Sequence, residues 1–437
     1  MKLYSTNNPE QLVDFKTAVF NSMPLDKGLY MPAEIPVLNQ TFLDNIDQYS
    51  LPEIAFEVAS ALIGDAMPAA ALKSIIEDAI SFDAPLKQID EHTQVLELFH
   101  GPSLAFKDFG ARFMSRVMSY FLQAGEQMLD VLVATSGDTG GAVALGFLGV
   151  PNTRVTILFP KGKVSEIQEL QLCTNGENIQ VLEIGGTFDD CQQLVKEAFA
   201  DAELNAALRL TSANSINIAR LIPQTFYYFN AYAQLRRQGV ERMVVAVPSG
   251  NFGNIAAGLL AQRMGLPVEQ FIAATNANDT VPRFLESGVY ETRPSVQTYA
   301  NAMDVGAPSN WVRIMELFKG DLNALKQVLK GYRFTDEETI EAIKRLDKEH
   351  GYIACPHTAI AWLATQAYQA EHPNSEAVCL FLSTAHPCKF PDALPAEIAS
   401  KVVVPEVVEG LKNKQRQATA KDVDFPLFKA YLLNMLL

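Results

Sequence analysis

Short β-branched apolar runs alternate along this chain with stretches whose apolar residues recur every three or four positions. The first pattern fits strands buried on both faces and the second amphipathic helices. Their alternation predicts an α/β fold on mostly parallel sheets. Val95–Phe99, Val131–Ala134, Val155–Phe159, Ile179–Ile184, Val244–Val247, Phe271–Thr275 and Val378–Leu382 read as strands. Helical spacing puts Phe113, Met114, Val117, Met118, Phe121 and Leu122 on one face of a helix opening near Phe109. A long helix is predicted over 216–237, and small-residue helices over 142–148 and 255–263. The first 95 residues break this rhythm: Pro24, Pro32, Pro36, Pro52, Pro68 and Pro85 punctuate helical pieces without a strong strand run. The predicted units are therefore an N-terminal mainly helical domain at 1–95, an α/β domain at 96–235, and a second at 236–437 that ends in a peripheral tail helix.

Composition narrows the class. With 48% hydrophobic and 19% charged residues, the 437-residue chain is an ordinary globular one. Its 35 basic and 50 acidic residues leave a net charge of −15, which repels nucleic acid and anionic membranes but not a small anion in a local basic pocket. The segment 243–262 carries no charge and is long enough to span a bilayer. Its middle, PSGNFGN, would leave polar groups in hydrocarbon, so it reads as a buried loop and no membrane partner is expected. Cys173, Cys191, Cys355, Cys379 and Cys388 are odd in number, scattered and free of C-x-x-C spacing; neither a disulfide framework nor a metal site is expected. Reduced thiols and an N-terminal MKLYSTNN without export or transit pattern predict a cytoplasmic location.

Chemistry concentrates where apolar strands run into Gly-rich turns. Gly250-Asn251-Phe252-Gly253-Asn254 follows one strand and opens a small-residue helix, whose unpaired N–H groups and dipole suit an anion. Thr135 to Gly141, TSGDTGG, is a second such turn, although Asp138 would repel a phosphate placed against it. Lys107 stands between Phe106 and Asp108 in a frame of Leu104, Ala105 and Phe109. A lysine held among aromatics loses charge to desolvation and becomes a usable nucleophile and base, as a Schiff-base lysine must. His100 in the same loop reads as a hydrogen-bonded structural residue. Ser383 and Thr384 end a late strand, where a hydroxyl can meet a ring nitrogen or simply close an ST-turn.

The runs HGPSLAFKDFG, TSGDTG, VPSGNFGN, SANSINIAR and STAHPCKF, in this order, resemble the threonine synthase family. The resemblance extends from the LYSTNN segment to about Phe390. It implies the pyridoxal-phosphate (PLP) enzymes of the tryptophan-synthase β-like fold, fold type II, with two open twisted mostly parallel sheets flanked by helices. By the same resemblance, Lys107 binds pyridoxal 5′-phosphate covalently, Gly250, Asn251, Phe252, Gly253 and Asn254 hold its phosphate, and Thr384 meets the pyridine nitrogen. Ser136, Asp138, Thr139, Ser215, Asn217 and Arg220 are implied substrate contacts, with Lys161 and Arg112 as further contributors. The wider fold family often carries Asn where this chain has Asp138; an Asp there puts a contact to the cofactor's 3′-oxygen in doubt or requires a proton. The implied reaction turns O-phospho-L-homoserine and water into L-threonine and phosphate, by a monomer or homodimer. A phospho-lyase or a serine/threonine dehydratase on the same scaffold is an alternative, and a non-catalytic binding protein is one of another class.

Overall fold

The computed structural model describes residues 1–122 and 127–435; positions 123–126 and 436–437 of the expected α/β units lie outside it. Three sheets organise the chain. Strands β1 (Lys2–Ser5), β2 (Asn8–Asp14) and β3 (Tyr30–Pro32) form a small antiparallel sheet in the order β2-β1-β3. The second sheet contains β4 (Leu86–Gln88), β5 (Thr93–Glu97), β10 (Met243–Pro248), β11 (Val268–Thr275), β12 (Leu329–Arg333) and β13 (Val378–Ser383). Its order is β12-β11-β10-β13-β5-β4, parallel throughout except for the edge strand β4. The third is wholly parallel: β6 (Leu129–Ala134), β7 (Thr153–Pro160), β8 (Ile179–Ile184), β9 (Arg209–Ser212) and β14 (Thr419–Lys421), ordered β14-β8-β7-β6-β9.

Parallel strands covered by helices on both faces need continuous rather than alternating apolar sequence. β6, β10 and β13 are buried at every position, so the apolar runs located them to within two residues. The uncharged 243–262 segment resolves into β10, the Gly-rich turn and most of the helix Gly253–Arg263. Among the described residues, no helix is long and apolar enough to cross a membrane. All five cysteines are free and buried.

Three features depart from expectation. The helix predicted over 216–237 is two, Ile218–Leu221 and Gln224–Arg237, because Pro223 between them has no N–H to continue the ladder. The N-terminal segment carries a sheet as well as helices; exposed, polar β2 offers no apolar run to read. Strand pairing also crosses the sequence-contiguous division. β4 and β5 join the sheet of β10–β13, while β14, near the C-terminus, joins that of β6–β9. Which strands pair is decided by three-dimensional neighbours, and no local pattern announces it.

The N-terminal helices do not keep a core of their own. Ile54, Val58, Leu62, Leu72 and Ile76 belong to the same buried cluster as Phe109, Phe113, Phe226 and Leu260. The helix Gly253–Arg263 packs most closely at Gly258, where a Cβ would lie 2.6 Å from Phe271 Cε1 and 2.9 Å from Tyr228 Cζ. Gly258→Ala therefore overpacks this contact and is expected to lower the unfolding free energy by about 1–3 kcal/mol, read from the urea midpoint.

Candidate active site

Four turns converge at the carboxyl ends of strands from both large sheets, the place where open α/β sheets bind ligands. β5 leads to the Lys107 loop, β6 to TSGDTG, β10 to GNFGN and β13 to Thr384. The first and last are stitched together through backbone. Phe106 N–H donates to the Thr384 carbonyl at 2.8 Å, and His386 N–H to the Leu104 carbonyl at 3.0 Å. Leu104 adopts a left-handed φ of 58°, turning the chain so that Lys107 opens the helix Lys107–Phe121. A helix N-terminus disfavours an ammonium. Burial pulls the Lys107 amine down to about 8, with Asp138 opposing and Lys389 and Arg220 adding to the fall.

In the TSGDTG turn, Thr135 Oγ1 accepts from Gly137 N–H at 2.9 Å and Gly140 N–H at 2.8 Å. Gly137 has φ 127°, and any Cβ there would collide with the Gln168 side chain. This turn sets Asp138 at the start of the helix Asp138–Phe147. Asp138 Oδ1 receives Lys389 Nζ at 2.8 Å and Gln168 Nε2 at 2.9 Å. Burial alone would push the Asp138 carboxyl up; Lys389, Lys107 and these hydrogen bonds overcome it and hold the group well below the ordinary range. Asp138 is thus held as a carboxylate with its own cation, without the proton that a hydrogen bond to the cofactor's 3′-oxygen would require. Half-buried Ser136 and Thr139 make no side-chain hydrogen bond among the described residues.

The GNFGN turn depends on Phe252, held at φ 59° with its ring edge-on to Trp311 at 5.7 Å. Asn251 Nδ2 donates to Ser215 Oγ at 3.0 Å, and its Oδ1 accepts from Ser309 N–H at 2.6 Å. Asn310 Nδ2 bonds both the Asn251 carbonyl, at 3.1 Å, and Ser215 Oγ, at 3.2 Å. Asn254 Oδ1 accepts from the Tyr227 and Tyr228 hydroxyls at 2.7 and 2.6 Å, leaving Nδ2 buried without an acceptor. The backbone N–H groups from Gly250 to Asn254 likewise find no acceptor among the described residues. A row of open donors at a helix N-terminus, with an orphaned amide beside it, suits a phosphate.

Thr384 Oγ1 has no protein partner among the described residues, whereas neighbouring Ser383 Oγ meets Thr358 Oγ1 at 2.9 Å. Ser215 is drawn to the GNFGN turn as described. Asn217 is used locally, donating to the Val19 carbonyl at 2.8 Å and accepting from Ala219 N–H at 3.0 Å. Arg220 is buried against Gly110, donates to the Ala213 carbonyl, and keeps Nε unpartnered. Arg112 instead caps the helix Ala69–Ala79 through the Ala79 and Asp78 carbonyls, and Lys161 is exposed. His100 pairs with Glu97 at 2.8 Å.

Sequence reasoning passed over Lys389, Gln168, Asn310, Arg313 and His357. Lys389 had a signal: Cys388 and Phe390 frame it as Phe106 and Phe109 frame Lys107. Arg313 had none. It is 0% exposed and donates to the carbonyls of Tyr30, Ser215 and Ile216 and to Asn310 Oδ1, with no carboxylate among its bonds.

Buried His357 accepts from Ala302 N–H at Nε2 over 3.2 Å. Burial pulls it from its ordinary 6.5 down to about 4, with Asp138 opposing and Lys107 and Lys389 adding. The unfolded chain therefore takes up a proton first. The resulting stability is complete above pH 6.5 and is lost as pH falls toward 4, by up to about 3 kcal/mol. His357→Gln keeps an acceptor but no titration, and is expected to flatten this loss in urea unfolding compared between neutral and acid pH.

An amine of lowered basicity and a cradle of open donors fit a phosphorylated aldehyde, and comparison with known proteins agrees. Residues 2–80 match the threonine synthase N terminus, residues 86–384 the pyridoxal-phosphate dependent enzymes, and residues 358–432 the threonine synthase C-terminal family. Threonine synthase of Haemophilus influenzae is 44% identical over 434 residues, covering 99% of this chain and 100% of its own. The crystal structure of threonine synthase from Escherichia coli aligns with a TM-score of 0.91 at 42% identity over 100% of both chains. The PLP-bound threonine synthase from Brucella melitensis aligns with a TM-score of 0.91 at 36% identity over 99% of both. A threonine deaminase from Solanum lycopersicum shares the fold alone, with a TM-score of 0.56 at 16% identity over 72% of this chain and 88% of that one. Pyridoxal phosphate is the cofactor, and the chain belongs to the threonine synthase family of pyridoxal-phosphate-dependent enzymes.

Proposed function

We propose that this site converts O-phospho-L-homoserine and water into L-threonine and phosphate, with Lys107 as its catalytic amine. The observation that carries the reading is the position of that amine. It opens a helix in the desolvated space where four strand-end turns meet, on a loop bonded directly to Thr384. Gly250, Asn251, Phe252, Gly253 and Asn254 are proposed to hold the cofactor phosphate through their open N–H groups and the Asn254 amide. The unpartnered Thr384 hydroxyl is proposed to meet the ring nitrogen.

Pyridoxal phosphate, when bound, supplies an electron sink that makes substrate C–H bonds acidic. Lys107 Nζ, freed when the substrate amine takes its place, would accept protons from Cα and Cβ, return one to Cγ as phosphate leaves, and return the other to Cα after water adds at Cβ. An amine titrating near 8 is poised for transfer in both directions, a contribution of about 10²–10⁴-fold. Because the Thr384 hydroxyl is neutral, it does not enforce a full positive charge on the ring nitrogen, which favours phosphate elimination over transamination. Ser136 and Thr139, with open hydroxyls, and Ser215 and Arg220 are proposed substrate contacts. Asn217 fixes the short helix that carries Arg220, and Asp138 acts beside Lys107. The −15 net charge gives an anionic substrate no long-range steering, so these local groups must do the recruiting.

The three units at 1–95, 96–235 and 236–437 are proposed with exchanges that the strand pairing supports: β4 and β5 go to the third unit and β14 to the second. A cytoplasmic monomer or homodimer is proposed, consistent with five free thiols.

Lys107→Ala is expected to abolish threonine formation, and borohydride reduction of the wild-type holoenzyme is expected to label Lys107 in peptide mapping. Incubation with O-phospho-L-homoserine is expected to yield threonine; release of 2-oxobutyrate instead would assign the site to a lyase. Asn254→Leu removes the orphaned donor together with the acceptor for the Tyr227 and Tyr228 hydroxyls, and is expected to weaken cofactor binding by about tenfold or more, in line with about 1.5–3 kcal/mol for a hydrogen bond to a charged group, measured by absorbance titration.

A further inference from the structure

Lys389 has no part in the reaction proposed above, yet its side chain is 0% exposed. A lysine is retained in an interior only where its charge is compensated. Its Nζ lies 2.8 Å from Asp138 Oδ1 and 2.8 Å from the Ser103 carbonyl. Both acceptors are also held from the helix Glu166–Cys173: Gln168 Nε2 bonds the same Asp138 oxygen at 2.9 Å, and Gln171 Nε2 bonds the Ser103 carbonyl at 2.9 Å. The pair therefore has a fixed geometry, and it joins a turn after β6 to a turn after β13. The charged and titratable groups acting on Lys107 are Asp138, Lys389 and Arg220; His357 also feels Asp138, Lys107 and Lys389, and Asp108 faces Arg220 and Lys389. Asp138 is the carboxylate that acts on Lys107. Alone, it would draw a proton more strongly onto that amine, against the effect of burial, because a nearby opposite charge favours the charged form.

We propose that Lys389 is a positioning residue whose ion pair with Asp138 withholds this carboxylate from Lys107, making the Lys107 amine easier to deprotonate for its part in the reaction. The proposal rests on the reading of Lys107 given above. Its electrostatic sense is fixed: Asp138 draws a proton onto Lys107, and Lys389 drives it off. Removing either member of the pair must therefore move Lys107 in opposite directions, which a purely structural role would not do.

The test is the pH dependence of cofactor capture. The full chain, freed of cofactor, is mixed with pyridoxal phosphate from about pH 6 to 10, the rate is followed by absorbance, and the trapped lysine is reduced with borohydride and mapped. Lys389→Met is expected to move the midpoint of the profile upward by about one pH unit, and Asp138→Asn to move it downward. Lys389→Arg keeps the wild-type midpoint, and the double variant Asp138→Asn with Lys389→Met falls between the two singles. Midpoints that stay unmoved, or that shift the same way in both single variants, overturn the proposal. Asp138→Asn is nearly isosteric and tests it even where Lys389→Met does not fold: an unmoved or raised midpoint in that variant is sufficient refutation. Trapping of a lysine other than Lys107 in the wild-type chain overturns the reading of Lys107 and this proposal with it.

Discussion

An amine buried in a protein is chemically useful only while it can shed its proton, and the interior around Lys107 is organised by that constraint. Desolvation and the N-terminal end of its helix both disfavour the ammonium. The same space must also accommodate anions, the cofactor phosphate and a phosphorylated substrate, so cations cannot be excluded from it. The structure separates these demands. Open backbone N–H groups and one orphaned amide in the GNFGN turn offer donors suited to phosphate without a charged side chain in the turn itself. The one carboxylate acting on the amine carries its own ammonium partner.

The two large sheets make this separation possible. Each contributes strand ends to a common space: Lys389 to Asp138 joins a turn of the second sheet to one of the third, and Phe106 to Thr384 joins two loops of the second. Close packing behind the turns keeps them in register. Phe109 lies edge-on to Tyr227 at 5.1 Å, and Tyr227 in turn holds Asn254, so the helix that Lys107 opens and the GNFGN turn share a rigid backing.

Much of this was legible in the sequence, for physical reasons that differ between elements. Parallel strands buried on both faces leave uninterrupted apolar runs, and β8 was located to the residue. Gly-rich turns after such runs pointed to the open donors of the GNFGN turn, and the aromatic frame to the desolvated amine of Lys107. Edge strands such as β2, largely exposed and polar, and β12, short and half polar, left no comparable trace. Asn217 and Arg112, named from the resemblance as substrate contacts, are engaged by the backbone at Val19, Ala79 and Asp78, bonds that no local pattern announces. Lys389 was overlooked because its partner lies far away in the chain, and burial of an ion pair depends on both members.

Arg313 carries a consequence for how the molecule comes apart. Its guanidinium binds Tyr30 of the small N-terminal sheet, the loop at Ser215 and Ile216, and Asn310, which clasps Asn251. No carboxylate in these bonds offsets its charge, so losing any one arm strands a cation in a dry interior. The opening thirty residues and the GNFGN turn are thereby tied into a single melting unit: loosening the amino-terminal segment loosens that turn, though the two never need to touch.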